Sequence, residues 1–209
     1  MHLLITAGGT REHIDPVRFI SNASSGKMGY ALASAALKAG HAVTLVTAPT
    51  GLKPPVGAAV VAVESAAEMF KAVKEQFRAC ECLIMAAAVA DYTPAQPSKT
   101  KIKKDGGASR TLQLKPTADI LKWAGRHKHA GQFVVGFALE DRNLRANAER
   151  KLHDKHLDMI VANAPDAINA TTSTVHVKAR DSEWIEWPAA RKHVTARRII
   201  RLVEQLCTS

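Results

Sequence analysis

HLLITAGGT, residues 2–10, is the stretch on which the fold turns. LLIT (3–6) reads as a strand buried on both faces, and it runs straight into Ala7-Gly8-Gly9-Thr10. Working outward, Met28 to Ala39 is an alanine-rich helix ended by Gly40. AVTLVT (42–47) and AVVAV (59–63) are the second and third strands, and CLIMAAAVA (82–90) is the fourth. FVVGFAL (133–139) is the fifth and MIVAN (159–163) the sixth. Between them Ser65 to Arg78 is helical, with Ser65 as N-cap and Glu68 three residues on, a capping box. Further helices fit at 117–126, 141–156 and from Pro188 to Cys207. Uniformly apolar strands alternating with helices predict an α/β fold with a doubly wound, mostly parallel sheet.

Two segments depart from that alternation. Residues 91–115 carry prolines and two strand-like pieces, KIKK (101–104) and RTLQLK (110–115), around Asp105-Gly106-Gly107. This is a hairpin signal, and a hairpin outside the main sheet must cover something or meet a partner chain. TVHVKA and WIEW, split by Arg180–Ser182, predict a second hairpin near the C-terminus.

Composition narrows the classes. At 209 residues the chain is expected to be one domain, and 46% hydrophobic against 23% charged residues is a globular balance. The longest uncharged apolar run, Cys82 to Ala90, is under half the ~20 residues a bilayer needs. The N-terminus has no basic n-region, so no signal peptide is expected. Cys80, Cys82 and Cys207 offer neither a disulfide framework nor zinc spacing, and a reducing cytoplasm is the expected compartment. The net charge of +10 sits mostly in residues 101–209, which hold 20 Lys/Arg against 12 Asp/Glu. A nucleic-acid binder would add stacking aromatics, but these are only 5%, so a small polyanionic substrate explains the lysines better.

The candidate site residues follow the carboxyl ends of the strands, where open α/β sheets bind ligands. The turn Gly8-Gly9 lacks the G-x-G-x-x-G spacing of a dinucleotide fold, which counts against a nicotinamide-dependent reductase. Gly26-Lys27 is followed by Met28, which excludes a Walker A loop. What remains is Ser24-Ser25-Gly26-Lys27-Met28-Gly29, a small-residue loop opening a helix, suited to an anion or equally to plain capping and close packing. Residues 10–23 form a long polar connection ending near Asn22, whose amide could bind a carboxylate or close an Asx turn. Ala87 to Asp91 offers small residues a flat ring can approach and an acid that could hold ribose, or a capped turn. Lys101 and Lys103 would share a strand face, turned either to an anion or, as a solvated edge guarded by lysines, to water. Lys151 and Lys155 are i, i+4 on one helical face, a repulsion that a triphosphate would turn into binding, unless Glu149 and Asp154 pair with them.

ITAGGTRE-x-IDPVRFISN-x-SSGKMG (5–29), AAVADY (87–92), KIKK (101–104), VGFALE (135–140) and K-x-x-x-K-x-LD-x-IVAN (151–163) occur in that order. Together they resemble phosphopantothenoylcysteine synthetase, over residues 2 to about 206. The resemblance implies a Rossmann-like three-layer fold and a ligase that joins 4'-phosphopantothenate to L-cysteine in coenzyme A biosynthesis. It implies CTP as co-substrate with Mg²⁺, an acyl-nucleotide intermediate, and a homodimer formed through the protruding KIKK hairpin. A decarboxylase domain often precedes this domain in bacteria, so the chain is expected to be free-standing or the C-terminal half of a fusion. By resemblance Gly8, Gly9 and Ser24–Lys27 bind phosphates, Asn22 meets the intermediate, and Ala86, Ala87 and Asp91 contact the nucleotide. Lys101 matches the functional lysine, Phe137 the aromatic beside the base, and Lys151 and Lys155 the pair that meets the phosphates. Thr117-Ala118-Asp119-Ile120 stands where an N-P-D-I-type segment is usual on the nucleotide rim, and Asn163-Ala164 where Asn-Asp is usual.

Overall fold

The computed structural model describes residues 1–104, 106, 109–165 and 170–207. Six parallel strands form the centre: β1 (His2–Ala7), β4 (Ala42–Thr47), β5 (Ala59–Ala62), β6 (Cys82–Met85), β9 (Phe133–Leu139) and β10 (Met159–Asn163). Two antiparallel strands, β11 (Thr172–Ala179) and β12 (Ile185–Arg191), extend the sheet to the order β12-β11-β10-β9-β6-β1-β4-β5. Successive strands leave β1 first toward β5 and then, from β6, in the opposite direction. The gap between the carboxyl ends of β1 and β6 is therefore the topological switch point.

Both faces of the sheet are covered, which accounts for the unbroken apolar runs. Leu3, Ile5 and Ala7 pack with α1 (Lys27–Lys38) and α5 (Lys192–Cys207). Leu4 packs the other way, with α2 (Ala66–Phe77), α3 (Ile120–His127) and α4 (Leu144–Asp154). The period-2 alternation of a strand thus feeds both cores of a three-layer, Rossmann-like α/β fold. At Ser65 the capping box forms: its Oγ accepts the Glu68 amide at 3.2 Å, while the Glu68 carboxylate reaches back to the Glu64 amide at 2.9 Å.

Four expectations need correction. The connection at 10–23 contains a hairpin, β2 (Arg11–Asp15) with β3 (Arg18–Ser21), anchored by buried Glu12, which accepts the Ala66 amide at 2.8 Å. The fourth strand stops at Met85, because residues 86–90 leave the ladder to bond with the end of β1. KIKK is not a strand; the excursion pairs β7 (Tyr92–Pro94) with β8 (Leu114–Pro116), and Asp105 and Gly107 of the expected turn lie outside the described residues. Pro188 belongs to β12 and not to the last helix, tolerated because an edge strand leaves one row of amides unpaired.

Candidate functional site

A cleft of about 620 Å³ opens at the switch point. Its floor is the segment 86–90, held to the end of β1 by main-chain and threonine bonds. The Ala88 amide donates to the Gly8 carbonyl at 2.8 Å, and the Thr10 amide returns to the Ala88 carbonyl at 3.2 Å. Thr6 Oγ1 accepts the Ala87 amide at 3.1 Å, and Thr10 Oγ1 the Ala90 amide at 2.9 Å. Asn22 Nδ2 donates to the Ala88 and Val89 carbonyls at 3.1 and 3.3 Å, bringing the end of the β2–β3 hairpin onto the same floor. These bonds fix the loop before any ligand arrives, so binding has little ordering entropy to overcome.

One wall is the start of α1. Its N-cap, Gly26, is in the left-handed conformation, no side chain caps the helix, and the first turn carries no acid. Ser24, Ser25, Gly26 and Lys27 all border the cleft there. The positive end of the helix dipole and uncapped N–H groups thus face a solvent-filled space, the arrangement that takes an anion.

The opposite wall brings Phe137, Lys151, Lys155, Thr117, Ala118 and Asp119 together. Thr117 holds the rim: its amide donates to the Asp91 carbonyl at 2.9 Å and its hydroxyl to the Ala90 carbonyl at 2.6 Å. Lys151 Nζ donates to the Phe137 carbonyl at 3.2 Å. Burial, and after it the neighbouring charge of Lys155, hold Lys151 below the ordinary lysine range. Lys155 Nζ lies 2.8 Å from Asp119 Oδ2. Burial alone would raise the Asp119 carboxyl, but the Lys155 hydrogen bond, the Lys122 amide and the two lysine charges outweigh it and lower the group. Such a wall attracts negative charge, and it does so at low dielectric, where each charge counts for more than in water.

Of the residues the sequence singled out, Asn22, Ser24, Ser25, Gly26, Lys27, Ala86, Ala87, Asp91, Thr117, Ala118, Phe137, Lys151 and Lys155 border this one cleft. Gly8 and Gly9 run beside the segment 86–90, Gly9 bridged to Ala88, and are not on the cleft wall. Gly8 has φ +83°, and a Cβ there would stand 2.9 Å from the Ala48 carbonyl oxygen, so its glycine answers a backbone demand. Lys101 is exposed and also off the wall. Its neighbour Ile102 is pinned instead: the Ile102 amide donates to buried Asp15 Oδ2 at 3.1 Å, and Arg18 donates to the Ile102 carbonyl at 2.7 Å. The Arg18 guanidinium beside Asp15 holds that carboxyl far below the usual carboxylate range. The sequence reading set Asp119 and Asn163 in family-matched segments without giving either a role, and it missed Lys192; all three line the cleft. Asp119 had a signal, since it caps α3 by accepting the Lys122 amide at 2.9 Å. Lys192 had none, because the helix it opens was placed four residues too early.

Comparison with known proteins agrees with this architecture. The sequence model for the DNA/pantothenate metabolism flavoprotein C-terminal domain matches residues 1–206. The coenzyme A biosynthesis bifunctional protein CoaBC of Bacillus subtilis (strain 168) is 45% identical over 196 residues, or 91% of this chain and 48% of that protein. CoaBC of Vibrio vulnificus (strain YJ016) is 46% identical over 162 residues, or 77% of this chain and 40% of that protein. The crystal structure of the C-terminal domain of a CoaBC protein is similar at TM-score 0.85 and 41% identity, covering 98% of this chain and 94% of that one. The chain spans about half the length of the curated relatives it matches. With its doubly wound sheet and its match over residues 1–206, the chain belongs to the family of DNA/pantothenate metabolism flavoprotein C-terminal domains.

Proposed function

We propose that this chain, as one domain, is a phosphopantothenate–cysteine ligase of coenzyme A biosynthesis that uses CTP. The observation that carries the reading is the cleft itself. An uncapped helix start lies on one wall and two lysines on the other, across a floor of small residues. That is a site for a flat base and a chain of phosphates. In the first step an oxygen of the substrate carboxylate attacks the α-phosphorus of CTP, forming an acyl–phosphate bond as the bond to pyrophosphate breaks. The amine of cysteine then attacks the acyl carbon, the bond to CMP breaks, and the amine gives up a proton to leave the amide. Lys27, Lys151 and Lys155 neutralise charge on the phosphates. The carbonyls of residues 86–88 and Phe137 border the base, Asp91 the ribose, and Asn22 the acyl-nucleotide. Both steps use the substrates' own nucleophiles, so the scheme needs none from the protein.

Mg²⁺ bound with the nucleotide would supply further positive charge against the phosphates. Asp91 and Asp119 are the carboxylates among the described lining residues, and Asp119 is engaged by Lys155. Lys101 would act from the excursion 91–116, which we assign to a homodimer contact. Tyr92 and Leu114 there are 56% and 45% exposed. The product would pass to a decarboxylase domain or partner, in the cytoplasm; no helix of the described residues is long and apolar enough to cross a membrane.

Pyrophosphate release tests the reading. It should require CTP and phosphopantothenate together, stop at one equivalent of enzyme without cysteine, and become catalytic when cysteine is added. Release that is indifferent to phosphopantothenate would overturn it.

A further inference from the structure

The segment 98–104 belongs to no helix or strand, and its lysines are exposed, yet its main chain is held at several points. The Ser98 amide donates to the Ile14 carbonyl of the β2–β3 hairpin at 2.8 Å. The Ser98 hydroxyl then closes a turn on Thr100, donating to its carbonyl at 2.6 Å and accepting its amide at 3.3 Å. Ile102 gives its amide to Asp15 and its carbonyl accepts from Arg18. Both main-chain groups of Thr100 and of Ile102 are thus taken up by side chains, and Lys101 stands between them. The main chain on either side of one exposed lysine is fixed, where a solvated strap would need no fixing.

Asp15 does more than its own turn requires. It is 1% exposed, so its charge must be met by donors. Its Oδ1 accepts the Val17 and Arg18 amides at 2.9 Å each, which is enough to close the hairpin turn. Its Oδ2 faces outward, accepting Arg18 Nε at 2.9 Å and the Ile102 amide at 3.1 Å, 87 residues along the chain. Asp15 and Arg18 together grip one residue of the strap by both of its main-chain groups. At its foot the same hairpin meets the cleft. Ser21 Oγ donates to the Thr10 carbonyl at 2.8 Å, and Asn22 donates to the carbonyls of Ala88 and Val89. One hairpin therefore carries the lysine strap at its turn and the cleft floor at its base, which fixes the two relative to each other before substrates bind.

We propose that Asp15 is a positioning residue of the reaction, which acts through Ile102 to set where Lys101 is presented relative to the Asn22 floor. The proposal rests on the ligase reading and on Lys101 acting in it. Asp15 touches no substrate; its effect passes through the strap.

The test is a double-mutant cycle on the full chain, with Asp15→Asn, Lys101→Gln and both together, read as kcat and KM. Asn keeps an acceptor for the turn and puts a donor where the second oxygen was, so the grip on Ile102 is lost. Asp15→Asn should lower kcat about 10- to 100-fold, the scale of a reacting group misplaced by an ångström, with KM for CTP within about threefold of the parent's. In the Lys101→Gln background the same change should cost no more than about a further twofold, because the residue it aims is gone. A second readout needs no turnover. Trypsin cleavage of the native chain within residues 99–104 should run about tenfold faster in Asp15→Asn than in the parent, as a released strap opens more often. If Asp15→Asn does not fold, Arg18→Met, at a half-exposed side chain, frees the Ile102 carbonyl and is read in the same way. Parent-like kcat, an equal loss with and without Lys101, or parent-like cleavage would overturn the proposal. Failure of the parent to release pyrophosphate would instead sink the ligase reading, while the cleavage rates still judge the clamp.

Discussion

The ammonium of Lys155 and the carboxylate of Asp119 form a 2.8 Å pair in which one carboxylate oxygen holds the lysine and the other caps α3. One side chain therefore sets both a helix start and the aim of a cationic wall. Asp119→Asn keeps the cap, since Asn caps as well as Asp, but removes the charge. Stability should fall by no more than about 1 kcal/mol, because the pair is partly exposed. The same depressed carboxyl fixes a pH trend. Its contribution is complete above the unfolded value near ~4 and is lost as pH falls through its lower folded value. Melting curves of parent and Asp119→Asn between about pH 7 and pH 2 should converge only at the acid end.

Gly125 in α3 faces the end of α4 with no room to spare. A Cβ there would lie 1.8 Å from the Lys155 carbonyl oxygen. Gly125→Ala must push the helices apart, so urea unfolding should show a loss of about 2–4 kcal/mol despite alanine's better helix propensity. A neutral or stabilised variant would contradict this packing.

Lys151 is held uncomfortably, by burial and by Lys155, and that discomfort predicts opposite effects on stability and binding. Its folded pKa lies below its unfolded one, so between the two the unfolded chain binds more protons and stability rises with pH. Lys151→Met should leave the unfolding free energy equal to the parent's or raise it by about 1 kcal/mol. Its affinity for CTP should fall at least about tenfold, for loss of one desolvated charge on phosphate. A clear loss of stability, or CTP binding like the parent's, would contradict the reading of Lys151 as a strained ligand of phosphate.

Lys101 and Lys103 flank the pinned Ile102, which makes them a matched pair. If Lys101 favours the transition states, Lys101→Gln should cut turnover about 30- to 1000-fold, with Lys103→Gln staying within a few-fold of the parent. Asp15→Asn, which loosens the Ile102 clamp without touching a lysine, should imitate Lys101→Gln in direction. Equal, small effects of Lys101→Gln and Lys103→Gln on turnover would reduce Lys101 to a surface residue.

The parts of the fold that were legible in the sequence are those governed by local rules. FVVGFAL and MIVAN became β9 and β10 as read, because strands covered on both faces must be apolar at every position. Lys151 and Lys155 reached one cleft because i, i+4 spacing puts them there. Elsewhere the deciding partner was distant. CLIMAAAVA reads as one strand because nothing local says that Thr6 and Thr10 will take the amides of Ala87 and Ala90. KIKK alternates like a strand, yet it is held by side chains of Asp15 and Arg18 from a hairpin whose polar, bulged strands gave no periodic signal. Pro188 imitated a helix start, a position proline favours, although it sits on a sheet edge. Lys192 was hidden behind that imitation.

The stitching of segment 86–90 to β1 also bears on synthesis. The side-chain ties within it join residues 66 to 81 positions apart, such as Asn22 with Ala88 and Thr6 with Ala87. A nascent chain that has released β1 and α1 but not β6 holds the Ser24–Lys27 loop of the cleft with no floor beneath it. Because β6 pairs with β1 on one side and β9 on the other, the floor gains its full support only after residue 139 has left the ribosome. Ligand present during translation can therefore stabilise late intermediates of this chain, and early ones gain nothing from it.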